Sequence, residues 1–573
     1  MTRRFHFTLW LAVFSMALLM ILSTLSNAAE RPNVLLICVD DLKPNLGCYG
    51  DSLAKSPNID RLANRGTLFE KAYCNQAVCS PSRNALLTGL RPQTLGIYDL
   101  GTNFRAARPE LLTLPQAFKL NGWRTEAMGK VFHVGHGNHE DAASWSVPHW
   151  RADVIAYALK ESKATEGLTR EEALFANKSA QDLPRGAAYE SADVPDNTYP
   201  DGALADEAIK RLRAAKQIPS EPFFMAVGFV KPHLPFVAPK KYWQMYDRAS
   251  MPLAELRSAP EGAPIYAPQY GGELRQYRDI PNSGKLDDDL QRTLVHGYYS
   301  AMSYMDAQVG RVIEELDALG LDKNTIVVLW GDHGWHLGDH GMWCKHTNYE
   351  QATHIPLLFV LPNAKKNVRT TALVESVDIY PTLCELAGIT MPLIGDGQSF
   401  AKAITDPSLA TKPFIQHVYP RSSPERGPMI GRAIRNQRYR FVEWKKIGAN
   451  GESAEIELYD YQLDPLEKMN QASSQPDVVR TMHQLLKQLP EANPQISQTT
   501  STGLLNDTPT PKPAQDRNAL FDKKDANKDG KLTKAEFLAN QPDPDKAPQR
   551  FTLFDRNQDG ELDRDEFVKS GKK

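Results

Sequence analysis

Asn33-Val-Leu-Leu-Ile-Cys-Val39 is a short unbroken apolar run, and it ends on two carboxylates, Asp40 and Asp41. A strand with no polar alternation is covered on both faces, which places it in a parallel sheet flanked by helices. Ligands of such sheets bind outside the carboxyl ends of the strands. Asp40 and Asp41 are therefore a candidate cation site, although aspartate after a strand also serves as a turn or helix cap.

Three further runs repeat the arrangement. Gly122–Met128 leads into Gly129-Lys130-Val131-Phe132-His133, and Pro222–Val230 into Lys231-Pro232-His233-Leu234-Pro235-Phe236. Asn324–Trp330 leads into Gly331-Asp332-His333-Gly334-Trp335-His336-Leu337-Gly338-Asp339-His340, with Lys345 and His346 just beyond. So many ionisable groups behind one buried strand cost free energy unless paired or metal-bound, and they mark chemistry rather than folding. Helical spacing covers Asn58–Phe69, Leu114–Leu120, Ala203–Ala215, Tyr298–Leu319 and Val377–Gly388, while Ile355–Leu361 adds a strand. Strands alternating with helices make an α/β chain with a mostly parallel sheet. Past residue 400, alternation replaces continuous runs. Ala433–Trp444 and Ile456–Asp460 are expected as antiparallel strands with one wet face, in a smaller subdomain over 401–495.

A different signal lies in Asn75-Gln-Ala-Val-Cys79-Ser80-Pro81-Ser82-Arg83, which runs on to Gly89. Cys79 stands at a helix N-terminus, Pro81 suits the first turn, Arg83 follows one turn on, and Gly89 is the stop. By itself this is either a buried cysteine at a helix start or a nucleophile. From His133 to about residue 220 the chain turns polar, with His136, His139 and His149 at spacings that match no closed zinc set. That stretch is read as a rim on the substrate side.

The 67 basic and 69 acidic residues nearly cancel, so nothing draws the chain toward nucleic acid or a membrane surface. Arg3 and Arg4 precede the apolar run Leu9–Leu22 and the small residues at Ser26–Ala29, the order of a cleaved export signal over 1–29; no stable membrane anchor is expected after cleavage. Six cysteines, at 38, 48, 74, 79, 344 and 384, are too few for disulfides to be the main support of an exported chain this long. Residues 496–514 have a linker's composition, and 515–573 carry two EF-hand loops. Asp525, Asn527, Asp529, Lys531 and Glu536 hold positions 1, 3, 5, 7 and 12 of the first, and Asp555, Asn557, Asp559, Glu561 and Glu566 those of the second. Calcium is expected in both.

Taken with the strand ends, the Cys-x-Pro-Ser-Arg sequence at 79–83 resembles the signature of the type I sulfatases of the alkaline-phosphatase superfamily, closest to the iduronate-2-sulfatase-like branch. Val39-Asp40-Asp41-Leu42, Gly129–His133, Lys231–Phe236, Gly331–Gly338, Lys345-His-Thr-Asn348 and Leu458–Glu467 carry the resemblance, in the family's order from about residue 31 to 470. It implies an alkaline-phosphatase-like catalytic domain over 30–400: a mixed, mostly parallel sheet sandwiched by helices. It also implies that a separate maturation enzyme oxidises Cys79 to formylglycine, and that Asp40, Asp41, Asp332, His333 and the modified Cys79 hold Ca2+. Arg83 would fix the aldehyde hydrate, with Lys130 and His133 around it, while Lys345 and His233 would grip the sulfate and His233 would protonate the leaving oxygen. One hydroxyl of the hydrate would attack sulfur and the other would later expel sulfate. The implied substrate is a sulfated saccharide with uronate 2-sulfate-like units. The alternatives are a phosphate or phosphonate ester hydrolase of the same superfamily, and a non-catalytic calcium-dependent binder of sulfated glycans.

Overall fold

The computed structural model describes residues 31–362, 364–390, 395–423, 427–447, 455–496 and 517–539, together with 551–569 save 553, 556 and 558. The export signal expected over 1–29 and residues 497–514 of the expected linker lie outside the described residues. Two compact units are present, Met1–Thr499 and Thr500–Lys573. Among the described residues no helix is long and apolar enough to cross a membrane.

The first unit is built on a seven-stranded sheet. In chain order its strands are β1 (Asn33–Val39), β2 (Thr67–Phe69), β3 (Arg124–Gly129), β4 (Phe223–Phe229), β5 (Thr325–Gly331), β6 (Leu357–Val360) and β7 (Val368–Thr370), and in space they run β7-β2-β6-β5-β1-β4-β3. The four consecutive strands β5, β1, β4 and β3 are parallel, whereas β6 runs against both its neighbours.

Burial on both faces explains the unbroken runs, because successive side chains of a strand point to opposite sides. Leu35, Ile37 and Val39 of β1 join Met225, Val227, Val327 and Leu329 on one face. There they meet α3 (Pro200–Lys216) through Leu204, Ala208 and Leu212, and α4 (Asp288–Ala318) through Met302, Met305, Val309, Val312 and Leu316. Val34, Leu36 and Cys38 face the other way, with Phe224, Ala226, Ile326 and Val328, against α1 (Cys79–Thr88) and α2 (Leu114–Leu120). Each such aliphatic side chain contributes about 1.5–3 kcal/mol on burial. Four parallel strands fixed in this way place their carboxyl ends side by side.

A second sheet, β8 (Ile415–Ser423), β9 (Gly427–Arg435), β10 (Tyr439–Lys446) and β11 (Glu455–Asp460), is antiparallel throughout. It is covered by the helix Pro476–Lys487 through Met482 and Leu486. The run Ala433–Trp444 is thus not one strand. It spans the end of β9, a turn at Asn436-Gln437-Arg438 and most of β10, with the Asn436 carboxamide oxygen accepting from the N–H groups of Arg438 and Tyr439 at 2.8 and 2.7 Å. Two other expected boundaries also move. The helix expected over Asn58–Phe69 stops at Ala63, and its last residues become β2, whose Leu68 pairs with Leu358. Pro356 divides Ile355–Leu361 between two sheets, because Ile355 pairs with Ala72 and Leu357 with Trp330. All six cysteines are free thiols.

In the second unit the strands Lys531–Thr533 and Glu561–Asp563 pair antiparallel, with Leu532 opposite Leu562. Both leucines are buried with Phe521, Phe537, Phe551 and Phe567. Gly530 and Gly560 have φ of 83° and 85°, the left-handed conformation that the sixth loop position requires. Asp525 Oδ2 accepts from the Gly530 N–H at 2.9 Å, Asp555 Oδ2 from that of Gly560 at 3.0 Å, and Glu536 closes its loop from the N–H of Thr533.

Candidate functional site

The carboxyl ends of β5, β1, β4 and β3 bring Asp332 and His333, Asp40 and Asp41, His233, and Lys130 to one edge of the sheet. Helix α1 delivers Cys79 to the same place, and all ten of its residues are buried. It ends at Gly89, whose φ of 71° and N–H bond to the Ala85 carbonyl make the expected stop. Lys130 depends on a close approach of two chains. Its N–H bonds to the Gly228 carbonyl at 2.8 Å, and a Cβ on Gly228 would lie 2.1 Å from the Lys130 carbonyl oxygen, so β4 must carry glycine there.

Arg83 is the buried hub. Its Nη2 lies 3.1 Å from Asp40 Oδ1, its Nε donates to Asp332 Oδ2 at 3.0 Å, and its Nη1 donates to the carbonyls of Lys130 and Val131. Asp332 also accepts from the N–H groups of Asp41 and His333, at 3.0 and 2.9 Å. Asp40 is ion-paired with Lys130. Burial alone would raise Asp40, but Lys130, His233 and Arg83 outweigh it and hold the carboxyl well below the usual range. Asp332 goes the other way, to about 7, chiefly through burial with Asp40 beside it. Burial likewise pushes Asp41 up to about 7, against the pull of Lys345 and His333.

Cys79 Sγ is 3.3 Å from His333 Nε2 and 3.7 Å from Lys130 Nζ. Burial, reinforced by Asp40, raises this thiol well above its ordinary range, and a protonated thiol is a weak nucleophile. Burial lowers His333 to about 4, which leaves its imidazole neutral and able to give a lone pair to a metal. Asp40, Asp41, Cys79 and His333 offer ligand atoms that all lie within 4.8 Å of one another. Asp332 stands beside this group, turned toward Arg83.

On the open side, Lys345 Nζ reaches Asp41 Oδ1 at 3.1 Å and Glu273 Oε2 at 2.9 Å, and His233 Nε2 is 3.2 Å from Glu273 Oε1. His133 Nε2 faces His136 Nδ1 at 3.4 Å. A cleft of about 180 Å3 lies over these groups, and Cys79, Lys130, His133, His233 and Lys345 are part of its lining. Five of the expected residues thus line the cleft, and Asp40, Asp41, Arg83, Asp332 and His333 are buried in contact with them or with one another. Sequence reasoning missed Glu273, which bridges the two residues expected to hold the anion. It sits on a short turn, Glu273–Gln276, entered through Gly272 at φ 93°, and only the Gly271-Gly272 pair hinted at a bend there.

The family described as Sulfatase matches residues 32–389, N-sulphoglucosamine sulphohydrolase, C-terminal, matches 338–495, and EF hand matches 518–539 and 549–569. Iduronate 2-sulfatase of Homo sapiens is 34% identical over 518 residues, which cover 78% of this chain and 92% of the relative. A sulfatase of Formosa agariphila is 29% identical, over 78% of this chain and 84% of its own. The fold is shared with a solved structure in complex with its substrate D-glucosamine-2-N,6-O-disulfate, at a TM-score of 0.63 and 20% identity over 80% of this chain and 97% of that one. Phosphonate monoester hydrolase of Agrobacterium radiobacter has the same fold at a TM-score of 0.62 and 20% identity, over 80% and 95% of the two chains. With its alkaline-phosphatase-like sheet and its terminal EF-hand pair, this chain belongs to the sulfatase family of sulfuric ester hydrolases.

Proposed function

We propose that the chain is an exported, formylglycine-dependent sulfatase that removes sulfate from sulfated saccharides with uronate 2-sulfate-like units. The observation that carries this reading is the meeting of Cys79 with Asp40, Asp41 and His333 at the floor of a pocket walled by Lys130, His233 and Lys345. The relatives named iduronate 2-sulfatase support the choice of saccharide.

The donors fit one hard divalent cation. Two buried carboxylates and a neutral imidazole converge, with Asp332 next to them. A thiol is a poor donor to Ca2+, but conversion of Cys79 replaces sulfur by oxygen and turns the set toward calcium. Bound there, Ca2+ would offset charge on the sulfuryl oxygens, and the aldehyde hydrate would supply two hydroxyls, one to attack sulfur and one to release sulfate. Arg83 holds Asp40 and Asp332 in register for this. Lys130 and Lys345 present cationic groups to the sulfate oxygens, and His233, with Nδ1–H tied to the Leu234 carbonyl at 2.5 Å, turns Nε2 to Glu273 Oε1 at 3.2 Å; a proton shared between that pair is the one the leaving oxygen would take.

The test is chain produced together with a formylglycine-generating enzyme. The Cys79 peptide is expected to show the aldehyde by mass spectrometry, and turnover of an aryl sulfate is expected to exceed that of the matching aryl phosphate. A faster phosphate rate would favour the phosphatase alternative, and a Cys79 peptide found only as thiol in an active preparation would sink the aldehyde reading. In the EF-hand unit, Glu536→Gln and Glu566→Gln each remove a bidentate ligand. Each is expected to reduce calcium uptake by one ion in equilibrium dialysis, and uptake equal to wild type would show that the loops do not bind calcium.

A further inference from the structure

The segment that joins the end of β5 to Lys345 carries three donors outside the pocket just described. It folds back on itself, with the His336 N–H on the Cys344 carbonyl and the Gly338 N–H on the Met342 carbonyl, both at 2.8 Å. Left-handed conformations at Leu337, Gly338 and His340, with φ of 55°, 95° and 56°, turn the chain tightly. The result brings His336, Asp339 and His340 together, all buried, with ligand atoms within 4.8 Å of one another.

Their hydrogen bonding is incomplete. His336 Nδ1 and His340 Nε2 have no well-formed hydrogen bond, and Asp339 Oδ1 and His340 Nδ1 have only each other. His340 Nε2 is 3.8 Å from Glu467 Oε2, too far for a hydrogen bond. A buried histidine–aspartate pair alone would leave His340 Nε2 unexplained, and buried polar atoms without partners are rare. His336 Nε2 contacts Thr347 Oγ1 at 2.8 Å, while that hydroxyl accepts from the Tyr349 N–H at 3.3 Å. The tautomer that donates Nε2–H to Thr347 leaves Nδ1 as a bare lone pair, the arrangement by which outer partners orient a metal-binding histidine. His340 is fixed by stacking on Tyr349, with ring centroids 4.8 Å apart and planes 11° apart.

We propose that His336, Asp339 and His340 form a second cation site, for a divalent transition metal of the zinc class, which braces the loop between His333 and Lys345. Two imidazoles and one carboxylate suit zinc and disfavour calcium and magnesium, which take oxygen donors. Donors about 2.0–2.2 Å from zinc lie roughly 3–4 Å from one another, so the cluster needs little contraction to close on an ion.

The experiment uses the full chain, stripped with chelator, saturated with Ca2+ and given one equivalent of Zn2+. Zinc-edge X-ray absorption is expected to show two imidazoles, where the cluster around Cys79 has one. The signature and the bound zinc are expected to be lost in His336→Ala, and Thr347→Val is expected to weaken zinc binding by about tenfold, the scale on which such outer partners act. Zinc removed from wild type by dialysis, a spectrum with fewer than two imidazoles, or a two-imidazole spectrum unchanged in His336→Ala, which would place the ion at His133 and His136, each overturns the proposal.

Discussion

Cys79→Ala is expected to lower kcat toward an aryl sulfate by roughly 10^4- to 10^6-fold, the loss seen when an enzyme that reacts through one covalent nucleophile is deprived of it. The fold should survive. The side chain is small, and its polar contacts are His333 Nε2 at 3.3 Å and Lys130 Nζ at 3.7 Å; His333 stays held through Nδ1 on the Gly334 carbonyl and Lys130 through Asp40. Loss of one buried heavy atom costs about 1 kcal/mol by comparison with single-methyl deletions. Steady-state rates and an unfolding curve measured on the same preparation separate the two effects. An alanine variant that kept a substantial part of the wild-type rate would show that the attacking atom comes from elsewhere.

Arg83→Met should do the reverse and strike stability first. Removing one partner of a buried ion network costs about 3–5 kcal/mol, because the remaining charges stay buried without compensation. Arg83 is the shared partner of Asp40 and Asp332, and all three side chains are fully buried. Methionine keeps most of the volume, so packing is not the main loss. The drop should be largest in chelator and smaller in calcium, since a cation that binds only the folded state stabilises it by mass action and can answer the uncovered carboxylates. Adding Asp40→Asn to Arg83→Met should cost less than the two single changes combined, as contacting residues do. Equal urea midpoints for Arg83→Met and wild type in chelator would refute this account.

How much could be read from the chain depended on how local each cause was. The four parallel strands were legible because a continuous apolar run has to be covered on both sides, and because their carboxyl ends must share an edge. That brought Asp40, Lys130, His233 and Asp332 together from positions nearly 300 residues apart. The EF-hand loops were legible for another reason: one ion fixes the spacing of its own ligands. Helix α4 was read from Tyr298 but begins at Asp288. Its first turns bury polar groups, with His296 Nε2 bonded to the Trp243 carbonyl at 2.8 Å, and such partners are distant in sequence. The reversed direction of β6 and the approach of Glu273 to Lys345 are tertiary facts of the same kind. No period or spacing encodes them.

The depth of helix α1 sets a clock on the proposed maturation. Pro81, Ser82 and Arg83 are as buried as Cys79, with Ser82 Oγ bonded to the Asp332 carbonyl at 2.5 Å and Arg83 wholly enclosed. A small ester reaches Cys79 through the cleft, but a second protein that must grasp the residues around the cysteine has no access to them once the sheet has closed. If Cys79 is matured as proposed, its oxidation would be a race against folding, won only while the segment 75–89 is still extended. A chain that folded first would be stranded as a well-packed thiol, and the specific activity of a preparation would then record the outcome of that race.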